Sequence, residues 1–165
     1  LGGYDSPIGP LAVATDDDIL LAIDFNGDVK ALGHRLSLPD SAITAFPNSA
    51  RPVLERLDAY FSGDLAALDL IGVRPVGTPF QRRVWEALRT IRAGTTSSYR
   101  DLAILIGSPS AIRAVGAANG ANPIPIVVPC HRVIGTNGAL VGYGGGLDRK
   151  RWLLAHEGVV PGRLW

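Results

Sequence analysis

The stretch Pro-Ile-Pro-Ile-Val-Val-Pro-Cys-His-Arg-Val-Ile-Gly, residues 123 to 135, holds the only cysteine of a 165-residue chain. Cys130 ends an apolar run and is followed at once by His131 and Arg132. A thiol in apolar surroundings packs as a small hydrophobe, whereas one beside an imidazole and a guanidinium can be activated as a nucleophile. A free thiol has a pKa near about 8.5 and burial raises it, so the second reading requires a base. His131 is adjacent, but neighbouring side chains of an extended chain point to opposite faces. A bond between the two therefore needs a bend or helical turn after Pro129, or a bridging water. Glu157 is the candidate to orient the imidazole, following nucleophile–base–orienter logic. A surface ion pair of Glu157 with Lys150 or Arg151, or a role for His156 instead, stands as the plainer alternative. On these residues alone, packing and nucleophilic readings of Cys130 both remain open.

Other chemistries are easier to remove. One cysteine excludes an internal disulfide and a cysteine-rich zinc site, and His34, His131 and His156 show no ligand spacing, so no metal or cofactor is expected. An unoxidised thiol suits a reducing compartment, which points to the cytoplasm. No apolar stretch reaches the length of a membrane span, and the N-terminal LGGYDSPIGP shows no signal-peptide pattern. The GYGGG loop at 142–146 matches no phosphate-cradling fingerprint. Net charge is only +1, but it is divided: residues 1 to 79 carry 5 basic and 11 acidic side chains, and residues 80 to 165 carry 11 and 4. The halves are thus −6 and +7. Such asymmetry suggests a polyanion partner for the basic half, against the plain reading of uneven surface charge. Fourteen of the sixteen basic residues are arginine, the better side chain for bidentate phosphate contacts.

The elements that must position these residues can be outlined. IGPLAVATDD and ILLAIDF, with turns at Asp16–Asp18 and at Asn-Gly-Asp, read as an antiparallel hairpin or meander. SARPVLERLDAYFSGD reads as an amphipathic helix with Ser49 as its cap and Val53, Leu54, Leu57 and Tyr60 on one face. A further strand is expected within GDLAALDLIGVRPVG. From Thr78 onward helices dominate. Thr78 and Pro79 open the first, with a stripe of Phe80, Val84, Trp85 and Leu88. Ser97 or Ser98 caps the second, and AIRAVGAANGAN forms the third after a three- or four-residue turn. That pair reads as helix-turn-helix, its second member being the recognition helix. Three prolines make PIPIVVPC an extended buried segment rather than a central strand. DRKRWLLAHEG closes the chain as a helix capped by Asp148. Trp85 and Trp152 fall on helix stripes and read as core.

ANPIPIVVPCHRVIG, with AIRAVGAANG before it and GYGGGLDRKRWLLAHEG after it, closely resembles the O6-alkylguanine-DNA alkyltransferases, the suicide repair methyltransferases. The resemblance is strong over residues 78 to 157 and looser over the first 77. It implies an α/β (α+β) fold. A small N-terminal domain (1–77, ribonuclease H-like, with an antiparallel sheet and helix) would pack on a mainly helical C-terminal domain (78–165) with a winged-helix-like helix-turn-helix. Cys130 would be the acceptor thiolate in an in-line displacement. His131 would act through a water, with Glu157 behind it. Asn122 would brace the bend into the cysteine segment. Arg113 would enter the duplex as a finger, and Tyr99 would press on the target phosphate and line the pocket. Ser98, Asn119 and Gly120 would lie along the DNA. Tyr143 would donate to the leaving guanine, with Lys150 in support. The carbonyls of Cys130 and Val133 would accept from the exocyclic amine, and Pro125 and Gly144 would border the pocket. The implied partner is double-stranded DNA containing O6-alkylguanine, with O4-alkylthymine within the substrate class to be tested. The expected form is a monomer, cooperative binding along DNA being left open, in the cytoplasm and at the nucleoid if bacterial.

The chain departs from the family pattern in places. Arg92-Ala93 stands where many members have a proline and an aromatic, which affects the approach to Tyr99. The N-terminal cysteine cluster of the longer adaptive-response proteins is absent, so their zinc-dependent phosphotriester repair is not expected. The rival from another class is a non-enzymatic binder of alkylated DNA. Such proteins replace the acceptor cysteine, which is present here. A cysteine hydrolase on a small substrate would turn over many times and need no basic half. Gly144 after Tyr143 suggests a roomy pocket mouth. Free O6-benzylguanine is therefore expected to alkylate Cys130 at a rate within about tenfold of O6-methylguanine, by intact mass against time. A far slower benzyl reaction removes the roomy pocket.

Overall fold

A computed structural model describes residues 1–159, which fall into two compact units divided in sequence between Val76 and Gly77. In the first unit, strands β1 (Gly2–Ser6), β2 (Gly9–Asp16), β3 (Ile19–Asp24) and β4 (Gly72–Val73) form one sheet in that order. The first three pair antiparallel, and the two-residue β4 adds parallel to β3. The meander read from the apolar alternation is present. Its extra member β1 was not legible, because Gly-Gly-Tyr-Asp-Ser lacks the alternating β-branched signal of a strand. The β2–β3 turn uses Asp17 at φ +51°, a left-handed conformation that aspartate tolerates. Leu11, Ala12, Val13 and Ala14 are all essentially inaccessible, so the middle of β2 is covered on both faces.

Helix α1 (Val29–Arg35) is capped by Asp28, whose carboxylate accepts from the Ala31 amide at 2.9 Å. Seven residues are too few for a periodic signal, and sequence reasoning placed only a turn there. Leu32 of α1 packs with Leu1, Ala12, Ala14 and Ala22. Helix α2 (Arg51–Phe61) buries Val53, Leu57 and Tyr60, the face expected of it. Its start differs from expectation. A 3₁₀ turn at Asn48–Ala50 leads directly into Arg51 with Pro52 in the first turn, and no side chain, Ser49 included, makes the cap bond.

The second unit begins at α3 (Pro79–Leu88). Thr78 accepts from the Gln81 amide at 3.2 Å, and the Gln81 side chain accepts from the Thr78 amide at 2.9 Å, a complete capping box. Val84, Trp85, Ala87 and Leu88 are buried, and Trp85 Nε1 donates to the Ala118 carbonyl at 2.8 Å. That bond ties α3 to α5 (Ile112–Gly120). Strand β5 (Ser97–Ser98) leads into α4 (Tyr99–Leu105), and α4 and α5 are the expected helix pair. Their turn, residues 106–111, is longer than expected. Gly107 at φ +73° ends α4, and the Ser108 amide reaches back to the Ala103 carbonyl at 2.9 Å, which spends residues on the helix terminus. Strand β6 (Val133–Ile134) pairs parallel with β5.

Helix α6 (Leu147–His156) starts from Gly146 at φ +87°, with Asp148 in the first turn making no cap bond. Asp148 therefore acts through the helix dipole and not as the cap. Among the described residues no helix is long and apolar enough to cross a membrane. Thr78→Ala removes one half of the capping box and should cost about 1 kcal/mol in urea unfolding without altering the unfolding slope. A loss within error of zero would mean the box is not formed in solution.

Candidate active site

Asn122 follows α5 and controls the segment after it. Its Nδ2 donates to the Val128 carbonyl at 2.7 Å, and its Oδ1 accepts from the Ile124 amide at 3.0 Å. One side chain thus spans Pro123 to Val128. The prolines had suggested an extended segment, but the chain turns: the Val128 amide bonds the Ile124 carbonyl at 2.9 Å, and the Cys130 amide bonds the Val128 carbonyl at 2.8 Å. Ile126 sits at φ +76°, costly for a β-branched residue. Pro125 and residues 124 to 128 are buried throughout.

Cys130, His131 and Arg132 form a 3₁₀ turn directly after Pro129. This is the bend that the cysteine–histidine pair required. Cys130 is buried, with the Asn122 amide close to its sulfur. Burial pushes the thiol up to about 11, against smaller downward pulls from Asn122 and Lys150. At neutral pH the resting group is the thiol.

His131 is fully buried, and its Nε2 lies 2.8 Å from Glu157 Oε1. Arg132 grips the same carboxylate with two donors, Nε to Oε2 at 2.9 Å and NH2 to Oε1 at 2.8 Å. Its NH1 donates to the Ile91 carbonyl at 2.6 Å. Burial alone would raise Glu157, but His131 and Arg132 outweigh it and hold the carboxyl at about 2. Burial lowers His131 despite the pull of Glu157, so the ring is neutral at neutral pH. The Arg132 fork is then what keeps Glu157 ionised. A carboxylate at Nε2 fixes the proton there, which leaves Nδ1 with its lone pair. Nδ1 is buried and has no hydrogen-bond partner among the described residues. Glu157 reaches this position because α6 ends on it and Gly158, at φ +84°, reverses the chain. Arg132 was not singled out from sequence; its place beside Cys-His was the available signal. His156 instead stacks on Trp152 with ring centroids 4.8 Å apart.

Lys150 is also fully buried. Its ammonium donates to the Val133 carbonyl at 2.7 Å, to Val141 at 3.2 Å and to Gly142 at 3.5 Å. It therefore clips β6 to the loop entering Tyr143, whose hydroxyl is shielded from solvent. Burial lowers Lys150 to about 8. The two carbonyls expected to read the amine each already accept a bond, Val133 from Lys150 and Cys130 from the Val133 amide.

Tyr99 is half-buried at the start of α4; burial raises its phenol, and a charge on Cys130 would raise it further, which places the two in one neighbourhood. Arg113 is exposed on α5, as is Gly120 at its end. Ser98 and Asn119, expected along the DNA, are buried. Ser98 Oγ is spent capping α4, accepting from the Asp101 amide at 3.0 Å. Asn119 lies close enough to the Tyr99 hydroxyl to pull its phenol down against the effect of burial. Gly144 is exposed, and a Cβ there would meet nothing within 4 Å.

The buried carboxylate gives the pH dependence a definite sign. The folded value of Glu157 lies below its ordinary 4.5, so its contribution to stability is complete above 4.5 and is lost as pH falls toward 2. Glu157→Gln should flatten that acid limb. At neutral pH it should cost about 3–5 kcal/mol, because Arg132 is left buried without a counter-charge. Urea unfolding at neutral and acid pH measures both; an unchanged acid limb assigns it to other carboxylates.

Comparison with known proteins places this arrangement. Residues 79–159 match the family model for the 6-O-methylguanine DNA methyltransferase DNA binding domain, and residues 2–75 match its ribonuclease-like domain. The methylated-DNA–protein-cysteine methyltransferase of Salmonella typhimurium is 46% identical over 159 residues, covering 94% of this chain and 93% of that protein. The Mycolicibacterium paratuberculosis protein of the same name is 49% identical, with 93% and 88% covered. The crystal structure of Mycobacterium tuberculosis O6-methylguanine methyltransferase superposes with a TM-score of 0.78 at 44% identity, covering 94% and 90%. A structure of Mycobacterium tuberculosis OGT in complex with DNA gives 0.76 at 42% identity, with the same coverage. The chain belongs to the 6-O-methylguanine DNA methyltransferase family.

Proposed function

We propose that this protein repairs O6-alkylguanine in duplex DNA by moving the alkyl group irreversibly to Cys130, one group per molecule. The observation that carries this reading is the buried thiol in a 3₁₀ turn with a neutral histidine whose one free nitrogen is Nδ1. A thiol held near 11 needs its proton removed as it reacts. His131 Nδ1 takes that proton, through one water, and the imidazolium formed rests against Glu157. The sulfur attacks the alkyl carbon, an S–C bond forms, and the C–O6 bond breaks with its electron pair leaving on guanine. Guanine is a poor leaving group as an anion, so a donor must meet the developing charge. Tyr143, on the loop that Lys150 clips, takes that role. The guanine then takes up a proton, and the product is an ordinary guanine and a thioether. No base in the site reverses a thioether.

The target oxygen is inaccessible in a stacked duplex, so the nucleotide must leave the stack. Arg113, exposed on the second helix of the pair, fills the space left behind, and the net +7 of residues 80–165 supplies backbone affinity that weakens with salt. A reducing compartment that holds DNA, the cytoplasm, is the proposed place of action.

Intact mass after mixing with duplex DNA bearing one O6-methylguanine tests the reading. One added methyl on Cys130 per base repaired is expected, and none with Cys130→Ala. Binding without a mass change would make the chain a damage sensor.

A further inference from the structure

Glu157 is shared between two partners. Its Oε1 lies 2.8 Å from both His131 Nε2 and Arg132 NH2, and its Oε2 accepts from Arg132 Nε at 2.9 Å. All three residues are buried, so water is not at hand to balance their charges. A buried cluster settles in the protonation state with the least net charge, because an uncompensated ion in a low dielectric is costly. A histidine and a glutamate alone reach zero as imidazolium and carboxylate. A guanidinium reverses this. Arginine and glutamate cancel, and the cluster is neutral only when the imidazole is neutral. Arg132 is fixed as that third member. Its NH1 donates to the Ile91 carbonyl at 2.6 Å, which turns the Nε–NH2 edge to the carboxylate.

The other groups around His131 do not replace Arg132. Lys150 of α6 pushes the imidazole the same way but less strongly, and its ammonium is held on the carbonyls of Val133, Val141 and Gly142. Cys130 is an uncharged thiol at rest. Helix α3, packed against the same turn, buries Val84, Trp85, Ala87 and Leu88, and its Arg82, Arg83 and Glu86 are exposed. His131 Nδ1 is the nitrogen left to receive a proton, and an imidazolium has no lone pair there. We propose that Arg132 is a positioning residue for the transfer: by cancelling the Glu157 charge it keeps His131 in the neutral, Nε2-protonated form that can take the Cys130 proton. It rests on Cys130 being the alkyl acceptor. The thiol proton moves to Nδ1, and the positive charge gained by the cluster faces the thiolate formed. The S–C bond then forms, the C–O6 bond breaks, and the ring gives its proton up to the departing guanine by way of water.

Nitrogen NMR of the imidazole rings, with His131 assigned by its loss in His131→Gln, reads the protonation state. In the wild-type protein the ring should stay neutral, with its proton on Nε2, down to and below its ordinary 6.5. In Arg132→Met it should be an imidazolium at neutral pH, and Arg132→Gln takes its place if the methionine variant does not fold. Single-turnover methyl transfer from a duplex with one O6-methylguanine, at saturating DNA, reads the consequence. The uncharged variant should be about tenfold slower at neutral pH, the effect of a ring whose value lies about one unit above neutral. Its rate should recover as pH rises through that value, because only the neutral ring accepts the proton. Arg132→Lys keeps the charge without the fork, so it should keep the ring neutral and restore the wild-type pH profile at a lower rate. An imidazolium in the wild-type protein at neutral pH overturns the proposal, as does a neutral ring in the uncharged variant. Slowing that is equal at every pH makes Arg132 a structural brace and overturns it too, and so does a charged ring in the lysine variant. Wild-type protein that takes no methyl from the duplex fails the alkyl-acceptor reading, a separate result, since the ring spectra still judge whether Arg132 keeps His131 neutral.

Discussion

A carboxylate sealed from water must find its counter-charge inside the protein, and here it finds it on one side chain. Glu157 and Arg132 meet through two hydrogen bonds, and both are at most 3% exposed. Such a pair gains little over an apolar filling, since desolvation offsets most of the attraction. What it supplies is a fixed arrangement. Glu157 stands at the end of α6, Arg132 in the turn that carries Cys130, and the third Arg132 bond runs to Ile91 after α3. Three separated stretches of chain are fastened at one point. His131 is oriented because the carboxylate it meets cannot move, and its tautomer follows from that contact.

Lys150 extends the same economy one step outward. An ammonium in an apolar interior needs acceptors, and the nearest are carbonyls at the ends of β6 and of the glycine-rich loop. Burial weakens its hold on the proton but leaves it charged at neutral pH. The loop that presents Tyr143 has glycines for flexibility and a buried cation for an anchor. The Cys130 turn and the Tyr143 loop are thereby secured from one base, α6.

Much of this was legible before any coordinates. Thr78, Pro79 and the stripe through Trp85 specified α3, because capping and periodicity are local physics. The pairing of Cys130 with His131 was legible as chemistry and not as geometry. Nothing in PIPIVVPC announces that Ile126 will take a left-handed φ, since only the Asn122 bonds and burial together impose it. Strand β1 and helix α1 were missed because each is too short or too poor in apolar alternation to declare itself, whereas the strand expected within GDLAALDLIGVRPVG is present as the two-residue β4. Polar residues near the recognition helix were expected to face DNA. Ser98 and Asn119 turned inward instead, because a helix cap and a neighbouring phenol, both tertiary matters, were waiting for them.

The smallest sheet has a consequence for how such a chain can vary. Ser97 pairs with Val133 and Ser98 with Ile134, and nothing longer joins β5 to β6. Tyr99 follows the first strand directly, and Cys130 stands one turn before the second. Two residue pairs thus act as a gauge between the start of the α4–α5 pair and the Cys130 sulfur. A strand alternates its faces residue by residue, so one inserted or deleted residue at either rung puts Tyr99 and Cys130 out of phase. The span between them includes the turn at residues 106–111, which no rung of this sheet restrains. Chain length is free to drift inside this bracket and locked at its two ends.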